Sequence, residues 1–291
     1  MLVIRSRVLG FCTGVRRAVS AVGEETVNAK TSGEKVYILG PLVHNPDVLE
    51  EIRKSGIEEV SKPPERTDSY SLIVRAHGIE PRIEKDLRTQ GVRIVDATCS
   101  KVKASQLKAE ELAGAKYSLF LAGEPEHAEI RGILGYAELG GPPPFCEVTG
   151  NAAEADKAAV VLYETDPNAK TALLGQTTIS KDEYSDIAQA IQKYFPNLEI
   201  VDTICSATTD RQTALRELLE QVDAVLIVGG KDSANTRRLL TIAKESGKPC
   251  ALVENSRDIP AEFYRYEKVG LSAGASTPDS AVTEIEMELM R

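Results

Sequence analysis

Three cysteines stand where they could act together. Arg93-Ile-Val-Asp-Ala-Thr-Cys99-Ser and Glu199-Ile-Val-Asp-Thr-Ile-Cys205-Ser share Ile-Val-Asp, two further residues and Cys-Ser, and each runs into a helix-forming segment. The apolar run Leu2–Leu9 leads in the same way to Cys12 and then a helix. These positions divide the chain into rough thirds, and such a repeat predicts three similar units. No CxxC pair accompanies them, which excludes zinc-ribbon and ferredoxin-type motifs, so a site built on them has to be assembled by folding. Three thiolates without a fourth suit a cubane iron–sulfur cluster in which one iron lacks a protein ligand and is free to act as a Lewis acid. Zinc on the same thiolates, with a histidine or water as fourth ligand, is the alternative on ligand type, but it gives no reason for the neutral donors described next. One such cysteine alone reads best as a small buried hydrophobe; three at equivalent repeat positions read as ligands. Cys146, after a Pro-rich loop, and Cys250, opening an apolar strand, read as packing residues.

A second constellation consists of short polar loops, two in each repeat. They are Val43-His44-Asn45 and Arg75-Ala-His77-Gly78, then Gly123-Glu-Pro-Glu-His127-Ala-Glu129 and Gly175-Gln-Thr177-Thr178, then Gly230-Lys-Asp-Ser233-Ala-Asn235 and Ala273-Gly-Ala-Ser276-Thr277. All three histidines of the chain fall in them. Hydroxyl, amide and imidazole donors at helix N-termini suit an anion such as a diphosphate, and imidazoles also carry protons near neutral pH. Glu129 is a candidate proton donor, with Glu124 and Glu126 as rival carboxylates. Singly, His44 or Ser276 is a cap or turn residue and Glu129 a favourable charge in a helix first turn; the set argues for a site. No Walker A or GxGxxG element supports nucleotide binding.

These loops need a scaffold that presents strand ends, and the sequence supplies one. Strand-like runs are Val36–Leu39, Leu72–Val74, Arg93–Val95, Ser118–Leu121, Ala172–Leu174, Glu199–Val201, Ala224–Val228, Ala251–Val253 and Val269–Ser272. They alternate with helical patterns such as Arg16–Val27, Lys103–Ala113, Lys181–Tyr194 and Ala207–Gln221, and Gly140–Pro144 is a loop. This is α/β architecture with mainly parallel sheets, in which ligands sit at the carboxyl ends of strands. The predicted units are 13–99, 100–204 and 205–291, the last completed by 1–12, arranged pseudo-threefold around a central cluster. A chain of 291 residues buries one large core or two to three small ones. Its net charge of -9 disfavours nucleic acid. No apolar run of membrane length and no leader-like start are present, and five cysteines is an odd count for a disulfide framework. A cytoplasmic protein without membrane association is expected.

The chain resembles the 4-hydroxy-3-methylbut-2-enyl diphosphate reductase family of the non-mevalonate isoprenoid pathway over essentially its full length. The likeness is carried by Gly10-Phe-Cys12-Thr-Gly-Val, Val43-His44-Asn45, Arg75-Ala-His77-Gly, Asp96-Ala-Thr-Cys99, His127-Ala-Glu129, Gln176-Thr177-Thr178, Ile204-Cys205-Ser-Ala-Thr-Thr-Asp-Arg-Gln212, Gly229-Gly-Lys-Asp-Ser233-Ala-Asn235 and Ala273-Gly-Ala-Ser276. The resemblance implies a [4Fe–4S] cluster on Cys12, Cys99 and Cys205, found as [3Fe–4S] when damaged. It implies reductive removal of the hydroxyl of an allylic diphosphate, giving isopentenyl and dimethylallyl diphosphates, with electrons from an external donor such as ferredoxin or flavodoxin. Glu129 and Thr177 would position the hydroxyl and relay protons, with His127 beside them, and His44, His77, His127, Thr177, Ser233, Ala234, Asn235 and Ser276 would surround the substrate.

Three positions depart from the family pattern. Ala128 replaces the usual proline of His-Pro-Glu, Ala234 stands where serine is common, and Ser100 where proline often follows the second cysteine. Proline fixes φ, so Ala128 is expected to loosen the proton-donor loop and lower activity without abolishing it. A cluster-bearing dehydratase without net reduction and a non-catalytic iron–sulfur sensor are the competing readings; demand for an electron donor separates the first, and the retention of Glu129 and Thr177 argues against the second.

Overall fold

The computed structural model describes residues 1–43, 45–64 and 69–291. Its elements run β1 (Leu2–Arg5), α1 (Thr13–Ser32), β2 (Lys35–Leu39), α2 (Pro46–Lys54), β3 (Glu58–Val60), β4 (Tyr70–Val74), α3 (Pro81–Thr89), β5 (Arg93–Asp96), α4 (Ser100–Gly114), β6 (Ser118–Ala122), α5 (Ala128–Gly140), β7 (Cys146–Thr149) and α6 (Ala152–Thr165). They continue with β8 (Thr171–Gly175), α7 (Lys181–Gln192), β9 (Glu199–Ile200), α8 (Ser206–Leu219), β10 (Ala224–Val228), α9 (Ala234–Glu245), β11 (Cys250–Val253), β12 (Lys268–Ala273) and α10 (Asp279–Leu289). Two compact units result, Met1–Thr67 with Ser206–Arg291, and Asp68–Cys205. The alternation expected from the sequence is present, and the strand pairings are parallel.

Strand order repeats along the chain. In the first unit the order is β1-β12-β10-β11, with β3 beside β2; in the second it is β9-β8-β6-β7, with β5 beside β4. Each cysteine-preceding strand, β1, β5 or β9, therefore borders a strand that ends in a polar loop, β12, β4 or β8. Central strands β4, β6, β8 and β10 are buried throughout, as strands covered on both faces are, and this is why they read as continuous apolar runs.

Side-chain alternation sorts each sheet's residues onto two cores. From β6, Leu119 and Leu121 pack with Ile130, Ile133 and Ala137 of α5 and Leu112 of α4, while Phe120 and Ala122 face Ala159 of α6 and Tyr184, Ile187 and Ile191 of α7. From β10, Leu226 and Val228 join Val282, Ile285 and Leu289 of α10, and Val225 and Ile227 join Leu215 and Leu218 of α8 and Leu239 of α9. Burying each such Leu, Ile or Val side chain stabilises by roughly 1.5–3 kcal/mol.

The differences from expectation are local. β1 ends at Arg5, short of the apolar run to Leu9, and Gly140 is the last residue of α5, ahead of the loop. The short strands β3 and β7 were not evident in the sequence; both lie at sheet edges and carry exposed Glu58, Glu59 and Glu147, which break the apolar signal. Among the described residues, no helix is long and apolar enough to cross a membrane.

Candidate functional site

Each of the three cysteines occupies the same local position. Cys12 is the N-cap of α1, its Sγ accepting from the Val15 amide at 3.5 Å. Cys99 is the N-cap of α4, and Cys205 is the residue immediately before α8. Their backbone amides donate to carbonyls of the polar loops: Cys12 to Ala275 at 3.1 Å, Cys99 to Ala76 at 2.9 Å and Cys205 to Thr177 at 2.9 Å. Ala275 precedes Ser276 and Ala76 precedes His77, so one backbone bond per cysteine locks a thiol-bearing turn to a donor-bearing loop.

The donor set fits an iron–sulfur cluster. No disulfide joins any of the five cysteines, and the three at helix starts are partly accessible. Helix N-termini carry unpaired amide donors and favour anionic groups. Cys146 differs: burial pushes its thiol up to about 12, and burial also raises that of Cys250, so both persist as thiols and pack against strands as expected. Among the described residues, no three Cys, His, Asp or Glu side chains gather around one point as ligands of a single ion would.

In the Asp68–Cys205 unit, the loops after β4, β6 and β8 bring His77, His127, Glu129 and Thr177 together. His127 is the N-cap of α5, its Nδ1 accepting from the Glu129 amide at 3.3 Å; in the neutral ring this leaves the proton on Nε2. The His77 and His127 rings meet edge to face with centroids 5.4 Å apart. Glu129 is only 1% exposed, and its carboxyl accepts from the Thr177 amide at 2.7 Å and the Thr177 hydroxyl at 3.0 Å. Burial raises its pKa to about 7, against the lowering effect of those two bonds. The rivals Glu124 and Glu126 are exposed, and Glu126 pairs with Arg131.

Gln176 was not singled out by the sequence beyond its place in the quoted segment. It is 3% exposed, and its Oε1 accepts from the Glu124 amide at 3.1 Å while its Nε2 donates to the Thr178 hydroxyl at 2.7 Å. It thereby ties the loop before His127 to the loop of Thr177. Gly123 must be glycine here, with φ +159° and a Cβ position 2.9 Å from Gln176.

The Met1–Thr67 and Ser206–Arg291 unit carries the other donors. Ser233 is the N-cap of α9, accepting from the Thr236 amide at 3.3 Å; Ala234 and Asn235 open that helix. Asn235 is 4% exposed, yet neither its Nδ2 nor its Oδ1 has a hydrogen-bond partner among the described residues. Such a buried amide is costly unless a ligand or water completes it. Ser276, 7% exposed, follows β12. Because β10 and β12 are adjacent and parallel, the loops of Ser233 and Ser276 leave the sheet at the same end. Thr277 stitches them, its hydroxyl donating to the Val228 carbonyl at 3.0 Å. Asn45 caps α2, its Oδ1 accepting from the Val48 amide at 3.2 Å. His44 lies outside the described residues.

Comparison with known proteins finds relatives along the whole chain. A sequence family described as LytB protein matches residues 3–290. The 4-hydroxy-3-methylbut-2-enyl diphosphate reductase of Treponema denticola is 40% identical over 296 residues, covering 100% of this chain and 99% of that protein. The Aquifex aeolicus protein of the same name is 34% identical, covering 96% and 93%. Among solved structures, the E-1-hydroxy-2-methyl-but-2-enyl-4-diphosphate reductase of Plasmodium falciparum superposes with a TM-score of 0.90 at 27% identity, covering 100% of this chain and 88% of that one.

Proposed function

The chain belongs to the LytB protein family, and from that premise we propose that Cys12, Cys99 and Cys205 hold a [4Fe–4S] cluster beside a diphosphate cradle in which Glu129 delivers the proton. It is an oxidoreductase of the terminal step of the non-mevalonate isoprenoid pathway, reducing (E)-4-hydroxy-3-methylbut-2-enyl diphosphate to isopentenyl and dimethylallyl diphosphates. The family binds an iron–sulfur cluster, and the reaction uses a diphosphate substrate and an electron donor. A cluster with one iron free of cysteine supplies electrons and a Lewis acid. In this reading Cys12, Cys99 and Cys205 stand at the boundaries of the units 13–99, 100–204 and 205–291 with 1–12. A cytoplasmic setting and a small electron carrier of the ferredoxin or flavodoxin class complete it.

The chain's own residues perform the remaining steps. His77 and His127, with His44, Ser233, Asn235 and Ser276, hold the diphosphate through neutral donors, which a chain of net charge -9 needs to capture an anion. Thr177 fixes the Glu129 carboxyl by two bonds. With its pKa raised to about 7, Glu129 is populated as the acid at neutral pH and can hand a proton to a leaving hydroxyl. Desolvation of that carboxyl is the observation that carries the assignment. The test is anaerobic purification with iron and sulfide counts, then turnover of the allylic diphosphate with a strong one-electron donor. A Glu129→Gln variant as fast as wild type would remove the assigned proton donor.

A further inference from the structure

Gln106 lies seven residues beyond Cys99, two turns along α4. It is 1% exposed, and its Nε2 has no hydrogen-bond partner among the described residues. Two glycines from distant segments make room for that amide. A Cβ on Gly78 would stand 2.5 Å from Nε2, and one on Gly132 would stand 2.7 Å from it. Gly78 follows His77 and has φ +83°; Gly132 is three residues past Glu129 on α5, and its Cβ position is 3.9 Å from the His77 carbonyl oxygen. One turn further along α5, Gly135 meets the Pro81 ring, with a Cβ position 2.9 Å from Cδ. The helix that carries Glu129 therefore lies on the segment after His77 through a face without side chains, and the amide of Gln106 fills the remaining gap.

We propose that Gln106 is a positioning residue: by its length it sets the distance between the His77 loop and the His127–Glu129 helix, and hence the span of the two imidazoles across the diphosphate. This rests on the reading of His77 and His127 as diphosphate ligands. The amide acts as a spacer. Shortening it lets the loop and the helix move together, while a methyl on Gly132 pushes them apart.

The experiment uses the anaerobically purified holoenzyme and measures KM and kcat for the allylic diphosphate together with inhibition by inorganic diphosphate. Gln106→Ala raises KM and the inhibition constant about tenfold and leaves kcat within about twofold, because ligands that hold ground and transition states equally act on KM. Gly132→Ala, which gains helix propensity but forces the end of the Gln106 side chain to shift, raises KM in the same sense. The double variant Gln106→Ala/Gly132→Ala, in which the methyl occupies vacated space, returns KM to within about threefold of wild type, as does the length-conserving Gln106→Met. Gln106→Ala and Gly132→Ala that both keep wild-type KM and inhibition overturn the proposal, as does a fall in kcat alone. His77→Asn separates the two levels. If it raises KM while the Gln106 variants do not, only the positioning role fails; if it leaves KM unchanged, the reading of His77 fails and the proposal with it.

Discussion

Thr177 grips both oxygens of the Glu129 carboxyl, its amide reaching Oε1 at 2.7 Å and its hydroxyl Oε2 at 3.0 Å, while its own carbonyl accepts from the Cys205 amide at 2.9 Å. One residue thus connects the candidate proton donor to the turn of Cys205, a candidate cluster ligand.

For Glu129 the folded pKa, about 7, lies above its ordinary value of 4.5. The native state therefore binds the proton more tightly than the unfolded chain does, so this group's contribution to stability is greatest at acid pH and declines as pH rises from about 4.5 to about 7. Glu129→Gln, which cannot ionise, is expected to be more stable than wild type at pH 8 by on the order of 3 kcal/mol, with the gain vanishing near pH 4.5. Denaturation of the anaerobic holoprotein across that range measures it. The same substitution lowers kcat by about 10²–10⁴-fold and removes the decline of wild-type activity above neutral pH.

Thr177→Val keeps the backbone bond to Glu129 and deletes the hydroxyl bond. Because that bond lowers the carboxyl's pKa, its loss moves the alkaline limb of the activity profile upward, and kcat falls about tenfold as the carboxyl loses its aim. A limb that stays in place would show that the hydroxyl does not tune Glu129.

Alanine at Cys12, Cys99 or Cys205 is expected to remove bound iron and sulfide, whereas alanine at Cys146 or Cys250 retains them. The contrast follows from position, helix starts in one group and packed strands in the other. Elemental counts on anaerobic preparations decide it, and iron lost equally from a Cys146→Ala preparation would break the assignment.

Asn235 presents a buried amide with neither end satisfied among the described residues. Asn235→Ala is therefore expected to leave the unliganded fold within about 1 kcal/mol of wild type, while KM for the diphosphate rises about tenfold. Thermal unfolding with and without inorganic diphosphate reads both halves.

Ala128 is the first residue of α5, and His127 before it has φ -70° and ψ 135°, a conformation that a following proline accepts. Ala128→Pro is expected to raise stability by about 0.4–1 kcal/mol by restricting the unfolded chain, and to leave KM unchanged. A lower melting temperature would mean that the backbone at this turn is not preset for proline.

Much of the scaffold was legible because it is written in local patterns. The runs Leu119–Leu121 and Ala224–Val228 are apolar throughout since strands covered on both faces demand it, and the Ile-Val-Asp repeats before Cys99 and Cys205 exposed the recurrent strand-to-helix turn. The donor loops at Arg75, Gly123, Gly175, Gly230 and Ala273 also followed from chain order, because they come at the ends of strands.

Other decisions rest on residues far apart in the chain, and no local period encodes them. Glu124, Glu126 and Glu129 are equivalent as letters; only tertiary packing buries the Glu129 carboxyl against Thr177, forty-eight positions away, and that burial raises its pKa although the Thr177 bonds oppose it. The pairing of β1 with β12 joins the two ends of the sequence, and the edge strand β7 needed β6 beside it to be a strand at all. Gln106 looks like any polar residue within a helix until Gly78 and Gly132 close around its amide. The sequence set the kinds of groups and their order; desolvation and close approach, which arise only when separate segments meet, determined which of them are poised to act.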